Sequence, residues 1–472
     1  MNSEIKNVVL IVVDALRTDR VGVYSGDDLT PNIDSLANDG EVFDHSFSCV
    51  NATDSSVTTI LTGLYPTRHG VINHGEGVTE EEQQFAAGTT PLPELIDSSY
   101  EAVGIDTLER WHQRGFETYI NPRREQSSSL IQYVGTIVEQ LPSSIEAFIK
   151  DIYSRSTADD VQPTQSEAIT DNALHTIGNT TSPFFLFAHY WDTHIPYIPI
   201  EDHSEKIRER KYDERDEPLE KSIKPIEGSP WANRLEENLT GDSETVLDLK
   251  RKYDAGVWQA DQAVGRIVDE LKQGGIYDET AIIVTADHGE SFTEHGILFD
   301  HHGLYDPTIH VPLIIKAPGF EGREDQFVQH FDLAPTILDL LGVEYQKERF
   351  DGVSLVTEGP RTLDRDAVFT EEGHTARKRT IRTQSYKYIK RLDDRSECRY
   401  CEIRHAADEE LYDLENDPEE EHNIVDEEPE VKARLDARLN SWIEQLPEPS
   451  KEETIFDTSQ EVKDHLEEMG YL

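Results

Sequence analysis

Six consecutive aliphatic residues, Val8 to Val13, end abruptly on Asp14. The run is too short to cross a membrane or to form a signal peptide, and its β-branching suits a strand buried on both faces. Comparable runs stand at Phe184–Ala188, Ala281–Thr285 and Val311–Ile315, with helical patterns between them. Val57, Ile60, Leu61 and Leu64 share one helix face, and Thr245–Leu271 reads as a long helix ended by Gly274-Gly275. Strands alternating with helices predict an α/β fold with a doubly wound, mostly parallel sheet. Open parallel sheets bind ligands at the carboxyl ends of their strands, so the polar residues there come first.

Asp14 directly follows the first strand, and Asp287 and His288 follow the strand Ala281–Thr285. His194 lies a few residues beyond Phe184–Ala188. Two carboxylates and an imidazole at one sheet edge suit Zn, Mn or Fe, and Ca less well. A single Asp after a strand is more often the cap of the next helix, so the combination is the informative feature. Thr53 stands where a helix begins in Asn51-Ala-Thr-Asp-Ser-Ser-Val57. The unpaired N–H groups there favour an anionic ester, although a capping threonine is the simpler explanation. A Thr hydroxyl becomes a useful nucleophile only beside a base or a metal.

The rest of the chain divides unevenly. Residues 121–181 and 202–242 read as insertions, either surface decoration or rims of a site. Beyond residue 355 the character changes. Thr380–Ile389 alternates like a strand, Glu410–Pro418 reads as a strand entering a turn, and a helix and acidic tail follow Glu430. This predicts a catalytic domain over 1–355 and a small α+β region with a tail over 356–472.

Charge and cysteines narrow the function classes. Acids number 95 against 44 Lys plus Arg, a formal net charge of -51 spread along the whole chain. A folded, salt-adapted protein fits this distribution better than a disordered acidic tail, and the balance opposes nucleic-acid binding. Three cysteines make no disulfide framework. Cys398 and Cys401 form a lone C-x-x-C, which fits a redox pair, a loop disulfide, or half a zinc site with His405 as a third ligand. With no targeting segment or membrane anchor visible, the expected location is the cytoplasm. The sequence leaves the oligomeric state open.

Many collinear segments resemble the sulfatase family of the alkaline-phosphatase superfamily. They are Asn7–Asp14, Thr30-Pro-Asn-Ile-Asp34, Leu61-Thr-Gly-Leu-Tyr-Pro66, His69-Gly70, His194-Ile-Pro-Tyr197 and Thr285-Ala-Asp-His-Gly-Glu290. Further along come Glu294-His-Gly296, Gly303-Leu-Tyr-Asp306, Val311-Pro-Leu-Ile-Ile315, Asp332-Leu-Ala-Pro-Thr336 and Glu410-Leu-Tyr-Asp-Leu414. The resemblance implies an alkaline-phosphatase-like fold and an arylsulfatase-like hydrolase of the haloarchaeal type. It implies one divalent metal (Mn, Zn or Ca) held by Asp14, Thr53, Asp287 and His288, with Thr53 at the nucleophile position. It assigns His194 to the substrate or leaving group, and His301, with His302 as its rival and Arg68, to substrate binding.

The departures bear on the chemistry. Sulfatases of this family oxidise a Cys or Ser to formylglycine within a Cys/Ser-x-Pro-x-Arg core, whereas the core here reads Thr53-Asp-Ser-Ser-Val57. Threonine cannot yield that aldehyde. Ala15 replaces a second aspartate, and Thr107 replaces the lysine expected after the next strand. These features lead to the expectation of a metal-dependent hydrolase of small anionic esters, with phosphoesters preferred. The alternatives are a sulfatase for sulfated sugars or aryl sulfates, a phosphotransferase, and an inactive anion-binding relative.

Overall fold

The computed structural model describes residues 5–122, 165–197, 207, 210, 212, 217–236, 243–357, 361–372, 377–392, 397–398 and 402–445. The long apolar runs form the middle of an eight-stranded sheet. Its strands in chain order are β1 (Asn7–Val13), β2 (Glu41–Phe43), β3 (Glu101–Ile105), β4 (Thr118–Ile120), β5 (Phe184–Tyr190), β6 (Thr280–Ala286), β7 (Leu313–Lys316) and β8 (Gly322–Glu324). Their spatial order is β4-β3-β5-β1-β6-β7-β2-β8. Only β7 runs against its neighbours. The expected mostly parallel, alkaline-phosphatase-like architecture is therefore present.

Pleating sends alternate side chains to opposite faces, so β1 needs an apolar layer on each. Val9, Ile11 and Val13 pack with the helices α1 (Pro31–Asn38), α3 (Gln165–Asn179) and α4 (Val246–Gln273). Val8, Leu10 and Val12 pack on the other face with α2 (Thr53–Thr62) and α5 (Leu333–Leu340). Burying each such side chain stabilises the fold by about 1.5–3 kcal/mol, which holds the carboxyl ends of the central strands in place. The register pairs Val13 with Tyr190 on one side and with Ala286 on the other. Asp14 and Asp287 thus emerge side by side.

A second sheet follows, built from β9 (Ala367–Glu372), β10 (Lys378–Thr383), β11 (Tyr386–Arg391) and β12 (Glu409–Asp413), all antiparallel. Ile381, Tyr388 and Leu411 on one face meet Leu435 and Leu439 of α6 (Pro429–Gln445). Val368, Ile389 and Tyr412 cluster with Leu304 and Tyr305 of the main domain. The expected single strand Thr380–Ile389 is instead a hairpin. The Thr383 hydroxyl accepts from Tyr386 N–H at 3.0 Å and donates to the Tyr386 carbonyl at 2.9 Å. These bonds reverse the chain at Gln384-Ser385, a local polar interruption within an otherwise alternating run. Much of both expected insertions, Cys401 and the acidic tail from 446 lie outside the described residues.

Candidate active site

Asp14, Asp287 and His288 converge at the carboxyl edge of β1 and β6. Each offers a ligand atom, and these atoms lie within 4.8 Å of one another. His288 Nε2 is 3.5 Å from Asp14 Oδ1 and 3.4 Å from Asp287 Oδ2. All three side chains are buried. Asp287 Oδ1 accepts from the N–H groups of Ala15 at 3.0 Å and His288 at 2.8 Å, which aims Oδ2 into the cluster. The His288 Nδ1–H donates to the Gly289 carbonyl at 2.8 Å in the tautomer that leaves Nε2 with its lone pair inward.

Neither oxygen of Asp14 accepts a hydrogen bond among the described residues. Burial, and then the charges of Asp287, Glu290 and Asp106, raise its carboxyl well above the ordinary range. A buried carboxylate with no donor is costly. A divalent cation removes that cost, and the donor set fits one. Burial lowers His288 to about 3, which keeps the imidazole neutral as a ligand must be.

Thr53 completes the group. Its Oγ1 lies 3.2 Å from His288 Nε2. It opens α2, whose preceding residue Ala52 is extended and supplies no side-chain cap. The leading N–H groups thus have no capping oxygen at position 52, and the Asp54 N–H lies 3.5 Å from His74 Nδ1. His301 stacks on His288 with ring centroids 4.4 Å apart. Its Nδ1 is 2.5 Å from the Asn51 carbonyl, and Asn51 in turn donates to the carbonyls of His301 and Gly303. His194 stands 6.3 Å from His301, ring to ring. Burial drives His194 well down and His301 to about 3.

Asp14, Thr53, Asp287, His288, His194 and His301 thus gather at one place. Arg68 does not join them. Its guanidinium binds Asp351 at 2.7 Å and the Arg349 carbonyl at 3.3 Å. His302 lies next to His301 in sequence but meets Asp300 and His405 instead.

The architecture and the buried cluster of candidate metal ligands agree with a match to the sulfatase family model over residues 6–343. The chain belongs to the sulfatase family. Residues 293–446 also match the model for the C-terminal part of N-sulphoglucosamine sulphohydrolase. The arylsulfatase of Clostridium perfringens is 23% identical over 93% of this chain and 94% of its own. The N-acetylglucosamine-6-O-sulfatase of Bacteroides thetaiotaomicron is 25% identical over 89% and 82%. Among solved structures, the phosphonate monoester hydrolase of Agrobacterium radiobacter superposes with a TM-score of 0.67 at 20% identity, covering 93% of this chain and 95% of that one. As a sulfatase-family protein the chain is an ester hydrolase, and divalent-metal dependence is general in the family.

The sulfatase site also contains residues that sequence reasoning missed. Asp54, next to Thr53, is buried in an ion pair with Arg110 and lies 3.3 Å from His74 Nδ1. Burial alone would raise the Asp54 carboxyl, but Arg110 and then His74 outweigh it and hold it far below the usual range. The His74 ring lies 5.8 Å from that of His301. Arginine is absent at position 57, yet Arg110 brings a guanidinium beside the head of α2 from a different loop. Asp106 pairs with His189 at 3.0 Å at the ends of β3 and β5. A polar residue ending the β3 run was the available signal for Asp106. His74 and Arg110 had none, because His74 sits in a loop and Arg110 opens a single 3-10 turn, neither of which carries a periodic pattern.

Proposed function

We propose that this sulfatase-family hydrolase cleaves phosphoesters in preference to sulfate esters, with Thr53 as nucleophile. The observation that carries the reading is Thr53 Oγ1 at the head of α2, 3.2 Å from His288 Nε2, where an aldehyde cannot form. Asp14, Thr53, Asp287 and His288 would hold one divalent ion, Mn, Zn or Ca. That ion would supply Lewis-acid polarisation of the ester and favour the Thr53 alkoxide. Thr53 Oγ attacks phosphorus in line, and the ester oxygen leaves as the phosphothreonine forms. His194 or His301, each neutral with its Nδ1–H directed at a backbone carbonyl, would take up the Thr53 hydroxyl proton at Nε2 and pass it to the departing ester oxygen. Water then attacks the same phosphorus and frees Thr53. The extreme acidity supports a salt-adapted protein, and the composition break supports a unit boundary near residue 355.

A second reading is a sulfatase in the strict sense, favoured by the arylsulfatase and N-acetylglucosamine-6-O-sulfatase relatives. The two differ in the second step. Formylglycine hydrate expels sulfate through its second hydroxyl, and a sulfated threonine has none. The test compares p-nitrophenyl phosphate, its diester and its sulfate at high salt with Mn or Zn. The expected result is faster turnover of a phosphoester than of the sulfate, with Thr53→Ala losing about a thousandfold in kcat. Sulfate turnover above both phosphoesters would establish the second reading. Unchanged rates in Thr53→Ala would assign the attack to water.

A further inference from the structure

We propose that His302, Cys398 and His405 form a second metal site, specific for zinc, beside the ester site and separate from it. One ring nitrogen from each histidine and the thiol sulfur lie within 4.8 Å of one another. Around a tetrahedral zinc, with Zn–S near 2.3 Å and Zn–N near 2.1 Å, such donors stand roughly 3.4–3.8 Å apart. The cluster therefore reaches ligation geometry by contracting about 1 Å, within the range of side-chain rotation.

The donor chemistry distinguishes this site from the first. Asp14, Asp287 and Thr53 are oxygen donors, whereas a thiolate with two imidazoles selects zinc over calcium, magnesium or manganese. The surroundings have the features of a zinc centre. His302 Nδ1 is 2.8 Å from Asp300 Oδ2. A carboxylate that close to the ring is the kind of neighbour that supports metal-bound histidines. His302 and Cys398 are buried and His405 is half-buried. Cys398 is also held by its backbone. Its N–H donates to the Ile403 carbonyl at 2.9 Å, and its carbonyl accepts from Glu402 N–H at 3.2 Å. Glu402 adopts φ 58°, the left-handed region, to close this turn.

The site joins two parts of the chain. Cys398 and His405 come from the segment between β11 and β12, while His302 follows His301 in the loop over the ester site. Zinc would tie the C-terminal sheet to the loop that carries His301. The bland alternative is a packed His–Cys cluster at the edge of the core, which would hold no metal.

The experiment uses the full-length protein, loaded with zinc and then with cobalt. A thiolate–cobalt site absorbs in the near ultraviolet by charge transfer, and the ester site contains no thiol to produce such a band. Wild type should show the band and bind one more zinc equivalent than Cys398→Ser or His405→Ala, both of which should lose the band. Asp287→Ala should keep the band while losing the other equivalent. Should the variants fail to fold, an organomercurial titrated into the wild type should release one zinc equivalent, and into Asp287→Ala the same equivalent. A cobalt form without the band, zinc content unchanged in both variants, or no metal release on thiol modification would each overturn the proposal.

Discussion

Two buried carboxylates and an imidazole at one point define the residue scale of this site. Asp14 accepts no hydrogen bond among the described residues, so its charge depends on a cation. Removing one ligand weakens the hold on the ion, and without the ion the remaining buried carboxylate charge goes uncompensated. Asp287→Ala and His288→Ala should each lose the bound ion and reduce hydrolysis to near background, measured by elemental analysis and by turnover. Full activity in exhaustively chelated enzyme would reject this dependence. Asp14, Asp287 and His288 were legible because each directly follows an apolar strand. His74 and Arg110 were not, because their role depends on meeting Asp54, which a single sequence does not show.

At the scale of elements, α4 and the turn after β5 are in unusually close contact. A Cβ at Gly256 of α4 would sit 2.1 Å from the Asp192 carbonyl oxygen. That turn carries Thr193, whose hydroxyl donates to the Asp14 carbonyl, and then His194. Gly256→Ala forces helix and turn apart. It should cost about 1–3 kcal/mol of stability and about a hundredfold in kcat through misplacement of the site. Parallel denaturation and kinetic measurements check both. The same helix caps its neighbour, with Asp261 Oδ1 accepting from Asn32 N–H at 2.9 Å and Ile33 N–H at 2.8 Å at the start of α1. Burial raises the Asp261 carboxyl to about 6, although these hydrogen bonds pull it down. A raised folded-state value means that its stabilising contribution is present below about pH 4 and is lost as pH rises through 6. Asp261→Asn removes this titration. The stability of wild type minus variant should therefore fall between pH 4 and pH 7, by about 2 kcal/mol. A constant difference across that window would contradict the assignment.

The whole molecule carries a formal charge of -51. Like charges interact across about 10 Å in dilute buffer and about 3 Å at molar salt. Raising KCl into the molar range should therefore raise the thermal midpoint, followed by circular dichroism. A flat or falling midpoint would remove the salt-adapted reading. Among the described residues no helix is long and apolar enough to cross a membrane.

The sequence by itself determined the central strands, the helices that flank them and the order of the metal-binding residues. Those signals are local: an apolar run of strand length, a helical period, and a polar residue immediately after the run. Tertiary structure alone decided the reversal of β7, because strand direction depends on the path of the intervening chain. It also brought Arg110 to Asp54, turned Arg68 toward Asp351, and set His302 against Cys398 and His405. In each case the partners are far apart in the chain and share no period. Only the packing of α2 and of the C-terminal sheet against the rest of the fold brings them together.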